Sequence, residues 1–389
     1  MASGTLLAVA CAAVGAPLTD IAFGSALAMT LLGAVAGIAE AALWSYCAEK
    51  GRFPVLAATR TASTFVFTAC LVLAARGALS LPIAIGAESG VVVLAFLTFV
   101  LPPAIHASPI PVRGKTLVGF WLIKVVSYLN RFVESWWAVA ALSGVALASF
   151  RIGLAPKTLL LMGFTALLQP TLFRVSHDSW KDERDRNQLE ARSSAEALVF
   201  FAAFGAAVLC FAFLLYGEAL APYADALVVA WIALAVFTGP GGFGMMASAL
   251  LTNYGAIRVP LKMTWIGLGA RSAVYALLLG TGRLSLAALA LVGEIVTAGI
   301  QNSFWPAVLR TGVWKLKRRE AFRVLGRSCL CLGALAFLLA DPSRTTGVLV
   351  LGVSQLVVAA DAATEMRKAL QSLRRMPRAE STRSKSSSE

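Results

Sequence analysis

Twelve apolar runs, most of about twenty residues or more, occupy nearly all of this 389-residue chain. An α-helix needs about 20 apolar residues to cross the hydrocarbon core of a bilayer. The composition agrees, since 14% of the residues are charged, against about 25% in soluble domains. The sequence therefore predicts an all-α polytopic membrane protein with about 12 transmembrane helices. The runs cover approximately 4–19, 22–46, 54–76, 80–101, 117–142, 144–172, 196–217, 222–250, 261–280, 285–309, 322–340 and 345–366.

The basic residues alternate from one side of these runs to the other. Counted with the adjoining helix ends, the even-numbered loops and the C-terminal tail hold 25 of the 34 Lys and Arg, whereas the odd-numbered loops hold Arg76, Arg283 and Arg344. This pattern follows the positive-inside rule. It predicts a multi-pass protein of the inner (plasma) membrane with both termini cytoplasmic. The net charge of +14 is thus a topology signal, and we expect no nucleic-acid partner.

Several charged residues interrupt the apolar runs. Lys124, Arg131 and Glu134 share one face of the fifth run, Arg151 lies in the sixth, and Arg271 lies in the ninth. A charge at bilayer depth costs about 2.5–3.5 kcal/mol and usually faces a bundle interior or an aqueous cavity. We expect these five residues to line a polar cavity. A structural ion pair, above all Arg131 with Glu134, is the alternative for the same residues.

Three stretches resemble the MATE/MOP superfamily of flippases, in particular its polysaccharide (lipid-linked oligosaccharide) and lipid II branches. Asn130-Arg131-Phe-Val-Glu134 is similar to the Asn-x-x-x-Asp helix that opens the second lobe of that family. The next helix, with Arg151 and Pro156, is similar as well. The third stretch is a helix-ending hairpin at 51–54, which has an echo at 255–260.

The resemblance implies a flippase that moves a lipid-linked oligosaccharide by alternating access, with the lipid-linked glycan, membrane lipids and polysaccharide assembly proteins as partners. The diphosphate of such a substrate requires fixed cations, and arginine offers a planar fork for phosphate. The residues proposed for its cavity are Lys124, Arg131, Glu134, Arg151 and Arg271. Glu40 and Glu294 are candidates for ion coupling, with a structural pair to arginine as the alternative.

The resemblance also divides the chain into parts. We expect a first bundle of four helices at 1–101, a cytoplasmic linker at 102–116 and a second bundle of six helices at 117–309. A basic loop with two extra helices follows at 310–366, and a disordered basic tail at 367–389. Six helices are expected in the first lobe of the family, so the first two helices of that lobe are missing from this chain. Two explanations of this difference stay open: a start codon assigned too late, and a truncated, non-transporting member of the family.

The run 222–250 contains Thr238-Gly-Pro-Gly-Gly-Phe-Gly244. Pro and clustered Gly at membrane depth are tolerated where neighbours or water satisfy the freed backbone groups. Gly239, Pro240 and Gly241 are therefore predicted to form a hinge for alternating access, with a simple packing kink as the other interpretation.

Other functions have less support in the sequence. A MATE-type antiporter for small cations requires an acidic cavity, whereas the embedded cations here equal or outnumber the embedded acids. A polysaccharide polymerase or ligase requires a long extracytoplasmic loop, and the predicted outside loops are short. There is no P-loop or nucleophile elbow, and two histidines and six scattered cysteines do not suggest a metal site. We expect no enzyme and no cofactor.

The predicted topology can be tested by cysteine labelling in a variant that lacks the six native cysteines. With an impermeant maleimide, we expect Gly282→Cys to react in intact cells, because its loop is predicted to lie outside. Lys181→Cys should react only after permeabilisation. The reverse order of accessibility would overturn the orientation.

Overall fold

A computed structural model describes residues 52–75, 81–102, 144–176, 184–254, 258–340 and 345–375 of the chain, together with single positions between 32 and 47 and at 78, 137, 138 and 142. Within these ranges the structure consists of helices and their connections, with no β-strand. Lys124, Arg131 and Glu134 lie outside the described residues, so their predicted roles in the cavity stay predictions.

The described helices are numbered here in chain order. Their bounds are α1 (Phe53–Ala75), α2 (Leu81–Phe99), α3 (Gly144–Gly163), α4 (Gln169–Ser176), α5 (Arg184–Leu215), α6 (Gly217–Leu220), α7 (Ala224–Val236), α8 (Gly242–Asn253), α9 (Arg258–Gly280), α10 (Leu286–Asn302), α11 (Trp305–Arg310), α12 (Arg318–Ala340) and α13 (Thr345–Arg375). A wide π-helical turn joins α3 to α4 at Phe164–Leu168, and a second one joins α7 to α8 at Phe237–Gly241.

Seven helical segments in the described part are long and apolar enough to cross a membrane. They begin at Val145 and end at Arg375, and they include α5, α12 and α13. This confirms an all-α, multi-pass membrane protein. The count of twelve helices and the repeat of two bundles stay predictions.

Two predicted helix ends are wrong: the start of α5 and the end of α13. The segment 173–195 was expected to be a loop, but α5 already begins at Arg184. The tail from 367 was expected to be disordered, but α13 continues to Arg375. Both extensions are polar. That of α5 is hydrogen-bonded from Gln188 Nε2 to the Val313 carbonyl and from Arg192 Nη2 to the Lys315 carbonyl, and α5 and α13 lie side by side along much of their lengths.

The second half of the chain is organised around α7, whose residues are almost all buried. α3 packs on one side of α7, and α10 and α12 pack on others. The approach of α3 to α7 is very close at Gly153, where a Cβ would lie 2.5 Å from the Ala226 carbonyl oxygen and 2.5 Å from the Val229 Cβ. Small residues allow such contacts between helices in membranes, where tight packing replaces the hydrophobic driving force.

Replacing Gly153 by alanine should therefore destabilise the protein, because the new methyl group meets backbone rather than a flexible side chain. Overpacking typically costs about 1–3 kcal/mol. Thermal unfolding in detergent should show a lower Tm for Gly153→Ala. Gly269→Ala is the matched control, since nothing lies within 4 Å of its new Cβ; an equal fall in Tm for both variants would contradict the close contact.

Candidate functional site

Two charged side chains from distant parts of the chain meet between α3 and α10. Lys157 Nζ donates a hydrogen bond to Glu294 Oε1 and forms an ion pair with it. The side chain of Glu294 is 7% exposed and that of Lys157 is 23% exposed. Glu294 lies eight residues from either end of α10, so the pair sits near the middle of a membrane-length segment.

Arg271 lies close to the same part of α10. It is 2% exposed, and its Nη2 donates a hydrogen bond of 2.6 Å to Thr297 Oγ1. The Thr297 hydroxyl in turn donates to the Gly293 carbonyl, also at 2.6 Å. Thr297 follows Glu294 by three residues and shares its helix face. Lys157, Arg271, Glu294 and Thr297 form what we call the mid-helix cluster.

The mid-helix cluster carries two cations and one anion. Arg271 is thirteen residues from the start of α9, about 20 Å along a helix at 1.5 Å per residue, so its guanidinium cannot reach the interface on that side. Charges at such depth are costly, and they mark pathways for ions or polar substrates when they face an interior. Chemically, the cluster can hold an anionic group by charge-assisted hydrogen bonds.

The other residues predicted for the cavity have different surroundings. Arg151 lies at an exposed position of α3, and its separation of six positions from Lys157 places the two side chains about 240° apart around the helix. The two cations of α3 therefore point in different directions. Glu40, a candidate for ion coupling, is half-buried and helical. Of the predicted residues, the structure thus places Arg271 and Glu294 on adjacent helices and adds Lys157 to them.

The predicted interruption after α7 is confirmed. Gly239 has φ −81° and ψ −107°, outside the helical region, within the π turn Phe237–Gly241. We call this turn the helix break. Asn302 Nδ2 donates to the Pro240 carbonyl at 2.8 Å, so α10 is hydrogen-bonded to the backbone of the break. Whether the break moves, as a hinge does, stays a prediction.

The break is covered by the two C-terminal helices. The Thr238 hydroxyl donates to Gln355 Oε1 at 3.1 Å and lies 3.4 Å from Cys331 Sγ. A Cβ at Gly239 would come within 3.3 Å of the Ser328 backbone. Thr238, Gln355 and Cys331 are all almost fully buried, so α12 and α13 belong to the environment of the break and are not peripheral to it.

A cavity lies beside the break, between the two π turns. The space inside it that water-sized spheres can occupy is about 40 Å³, so in this arrangement it is narrow. One wall is apolar and includes Phe164 and Leu168 from the first π turn and Phe243 from α8. The other wall is charged and is contributed by α5 and α12; its members are Arg192, Glu196, Glu320, Arg323 and Arg327. π-helical turns are rare and frequent at functional sites, and here two of them border one cavity.

The charged wall extends to α13 and forms a network that we call the ionic cluster. Its members are Arg192, Glu196, Glu320, Arg323, Arg327, Asp361 and Glu365. Arg192 pairs with Glu320 at 2.9 Å. Arg323 Nη2 lies 2.7 Å from Glu196 and its Nη1 also contacts Glu365. Arg327 lies 2.8 Å from Glu196 and 2.6 Å from Asp361.

Sequence reasoning missed the ionic cluster because it assigned Arg192, Arg323 and Arg327 to basic loops and helix ends. The structure corrects this, since the arginines lie inside α5 and α12. A signal was present in their spacing. Arg192–Glu196, Arg323–Arg327 and Asp361–Glu365 are each four residues apart, which places both members of each pair on one helix face.

The chain matches no family model, no curated protein and no solved structure. The resemblance of the short motifs to the MATE/MOP superfamily is therefore a basis for a proposal about function only.

The mid-helix pair can be tested through stability. Glu294→Gln should lower the free energy of unfolding by about 3 kcal/mol, the lower end of the range for breaking a buried pair, because Lys157 retains 23% exposure. The double variant Lys157→Met, Glu294→Gln should recover most of this loss, since neither charge is then buried alone. Thermal unfolding of the two single variants and the double variant measures the coupling; additive losses would contradict the pairing.

Proposed function

We propose that the protein is a flippase-type transporter that moves a lipid-linked oligosaccharide across the membrane by alternating access. The observation that carries the proposal is the mid-helix cluster, with Arg271 buried and Lys157 partly buried within membrane-length helices. Guanidinium and ammonium groups at this depth favour an anionic substrate group such as a diphosphate, which they can hold by charge-assisted hydrogen bonds. The resemblance of the motifs around Asn130 and Arg151 supports the substrate class.

The helix break next to a cavity supports the mode of transport. Alternating access requires a segment that can adopt two arrangements, and Gly239 departs from helical geometry in the middle of a membrane-length segment. The polar residues of the cavity wall and the apolar residues opposite suit a passage that accommodates an amphiphile. The charge pattern of the sequence predicts that this cavity lies toward the cytoplasmic side, where lipid-linked sugars are assembled in this proposal.

The proposal predicts transport in proteoliposomes that contain the purified full chain. The probe is a fluorescent polyprenyl-diphosphate sugar, and dithionite quenching reports the fraction in the outer leaflet. Arg271→Gln should slow flipping at least about tenfold, because a hydrogen bond to a charged group contributes roughly 1.5–3 kcal/mol. Arg283→Gln is the matched control, since Arg283 is exposed in the turn between α9 and α10.

Two outcomes would contradict the proposed function. One is that the unsubstituted protein does not flip the diphosphate lipid, or flips an uncharged polyprenyl sugar at the same rate. The other is transport of a cationic dye in exchange for protons, which would indicate a small-molecule antiporter. Equal rates for Arg271→Gln and the unsubstituted protein would remove the mid-helix cluster from the substrate path.

A further inference from the structure

The ionic cluster has an asymmetric arrangement around Glu196. Arg323 and Arg327 lie on one face of α12, and each of them contacts two acids. One acid in both cases is Glu196 of α5, while the second belongs to α13: Glu365 for Arg323 and Asp361 for Arg327. Glu196 therefore binds two guanidinium groups of α12. The helices α12 and α13 are joined to each other by separate ion pairs.

The same face of α12 covers the helix break. The Arg327 carbonyl and the Ser328 Cα are the α12 backbone atoms nearest to a Cβ built at Gly239. One turn further along α12, Cys331 contacts the Thr238 hydroxyl. The position of α12 relative to α5 thus determines whether the break and the cavity beside it are covered.

We propose that Glu196 is the closing residue of an ionic latch. With Glu196 bound to Arg323 and Arg327, α12 is held toward α5 and covers the break. When Glu196 releases the two arginines, each keeps its partner on α13, so α12 moves away from the break while α13 stays packed along α5. The cavity then widens and the break becomes accessible. This device goes beyond the proposed function and does not depend on the identity of the substrate.

Physical reasons favour release at Glu196 over release elsewhere. A buried charge that loses its only partner is strongly destabilising, but each arginine keeps an acid on α13. Glu196 lines the cavity, so water that enters the widened cavity can solvate its carboxylate. A second ion pair between α5 and α12, Arg192–Glu320, lies toward the N-terminal end of α12. Its Arg192 also donates to the Lys315 carbonyl at 2.7 Å. These ion pairs between α5 and α12 thus lie at one end of α12.

The native thiol of Cys331 provides a reporter of latch opening. It is 0% exposed and lies against Thr238 of the break. In the full chain with the other five cysteines replaced by alanine, the rate of Cys331 alkylation by N-ethylmaleimide is measured by mass spectrometry. We expect Glu196→Gln to raise this rate about tenfold or more, because a neutral amide cannot balance two guanidinium groups.

Glu190→Gln is the matched control. Glu190 lies on the same helix, less than two turns away, and also pairs with two arginines, Arg174 and Arg186. It does not border the cavity, so its variant should leave the Cys331 rate unchanged. An unchanged rate in Glu196→Gln, or an equal rise in both variants, would overturn the latch.

A second reporter separates opening from general loss of structure. Cys210 is 0% exposed in the apolar core between α5 and α13. In a variant whose single cysteine is Cys210, Glu196→Gln should change the alkylation rate less than twofold. A parallel rise at Cys210 and Cys331 would mean that the helices separate throughout, and the latch would be rejected.

The contribution of the second ion pair, Arg192–Glu320, can be tested by exchanging its two charges. Arg192→Glu and Glu320→Arg should each raise the Cys331 rate, because each places two like charges about 3 Å apart in place of an ion pair. The double exchange restores opposite charges and should return the rate to within about threefold of the original value. A double variant as reactive as the single variants would show that the Arg192–Glu320 pair does not hold α12 toward α5.

Discussion

A charge that is removed from water must find a partner of opposite sign, and this requirement organises the described part of the protein. Breaking a buried pair costs several kcal/mol, because the remaining charge is left without compensation. The mid-helix cluster meets the requirement by pairing Lys157 of α3 with Glu294 of α10, and Arg271 of α9 donates to Thr297 beside them. The ionic cluster meets it across α5, α12 and α13. Each cluster therefore fixes the relative position of helices that are far apart in sequence.

The helix break is hydrogen-bonded to helices that carry the two clusters. A helix that is interrupted at membrane depth needs neighbours that satisfy its polar groups. Asn302 of α10 bonds the Pro240 carbonyl, and Gln355 of α13 bonds the Thr238 side chain. The first contact comes from the helix that bears Glu294, and the second comes from α13. The break thus contacts one helix of the mid-helix cluster and one helix of the ionic cluster.

The C-terminal helices acquire a different role from the one that their position in sequence suggests. As a pair that follows two predicted bundles, they would be an appendage. In the structure, α13 lies along α5, and α12 covers the break and closes the cavity. The interior of the second half of the chain is therefore completed by its last helices. A conformational change that exposes the break would have to move α12, and the ionic latch is the proposed control of that movement.

The sequence by itself determined the class of the fold, because apolar runs of membrane length and few charges leave helices as the structure that satisfies every backbone group in lipid. It also located the helix break through its Pro and Gly residues, and it identified Arg271 and Glu294 as embedded charges. Only the tertiary structure decided their partners. Lys157 and Glu294 are 137 residues apart, and Glu196 and Arg323 are 127 apart. Helical periodicity assigns a side chain to a face, but which helix packs against that face depends on long-range packing. The extension of α5 into polar sequence has the same origin, since Gln188 and Arg192 donate to carbonyls 125 and 123 residues further along the chain.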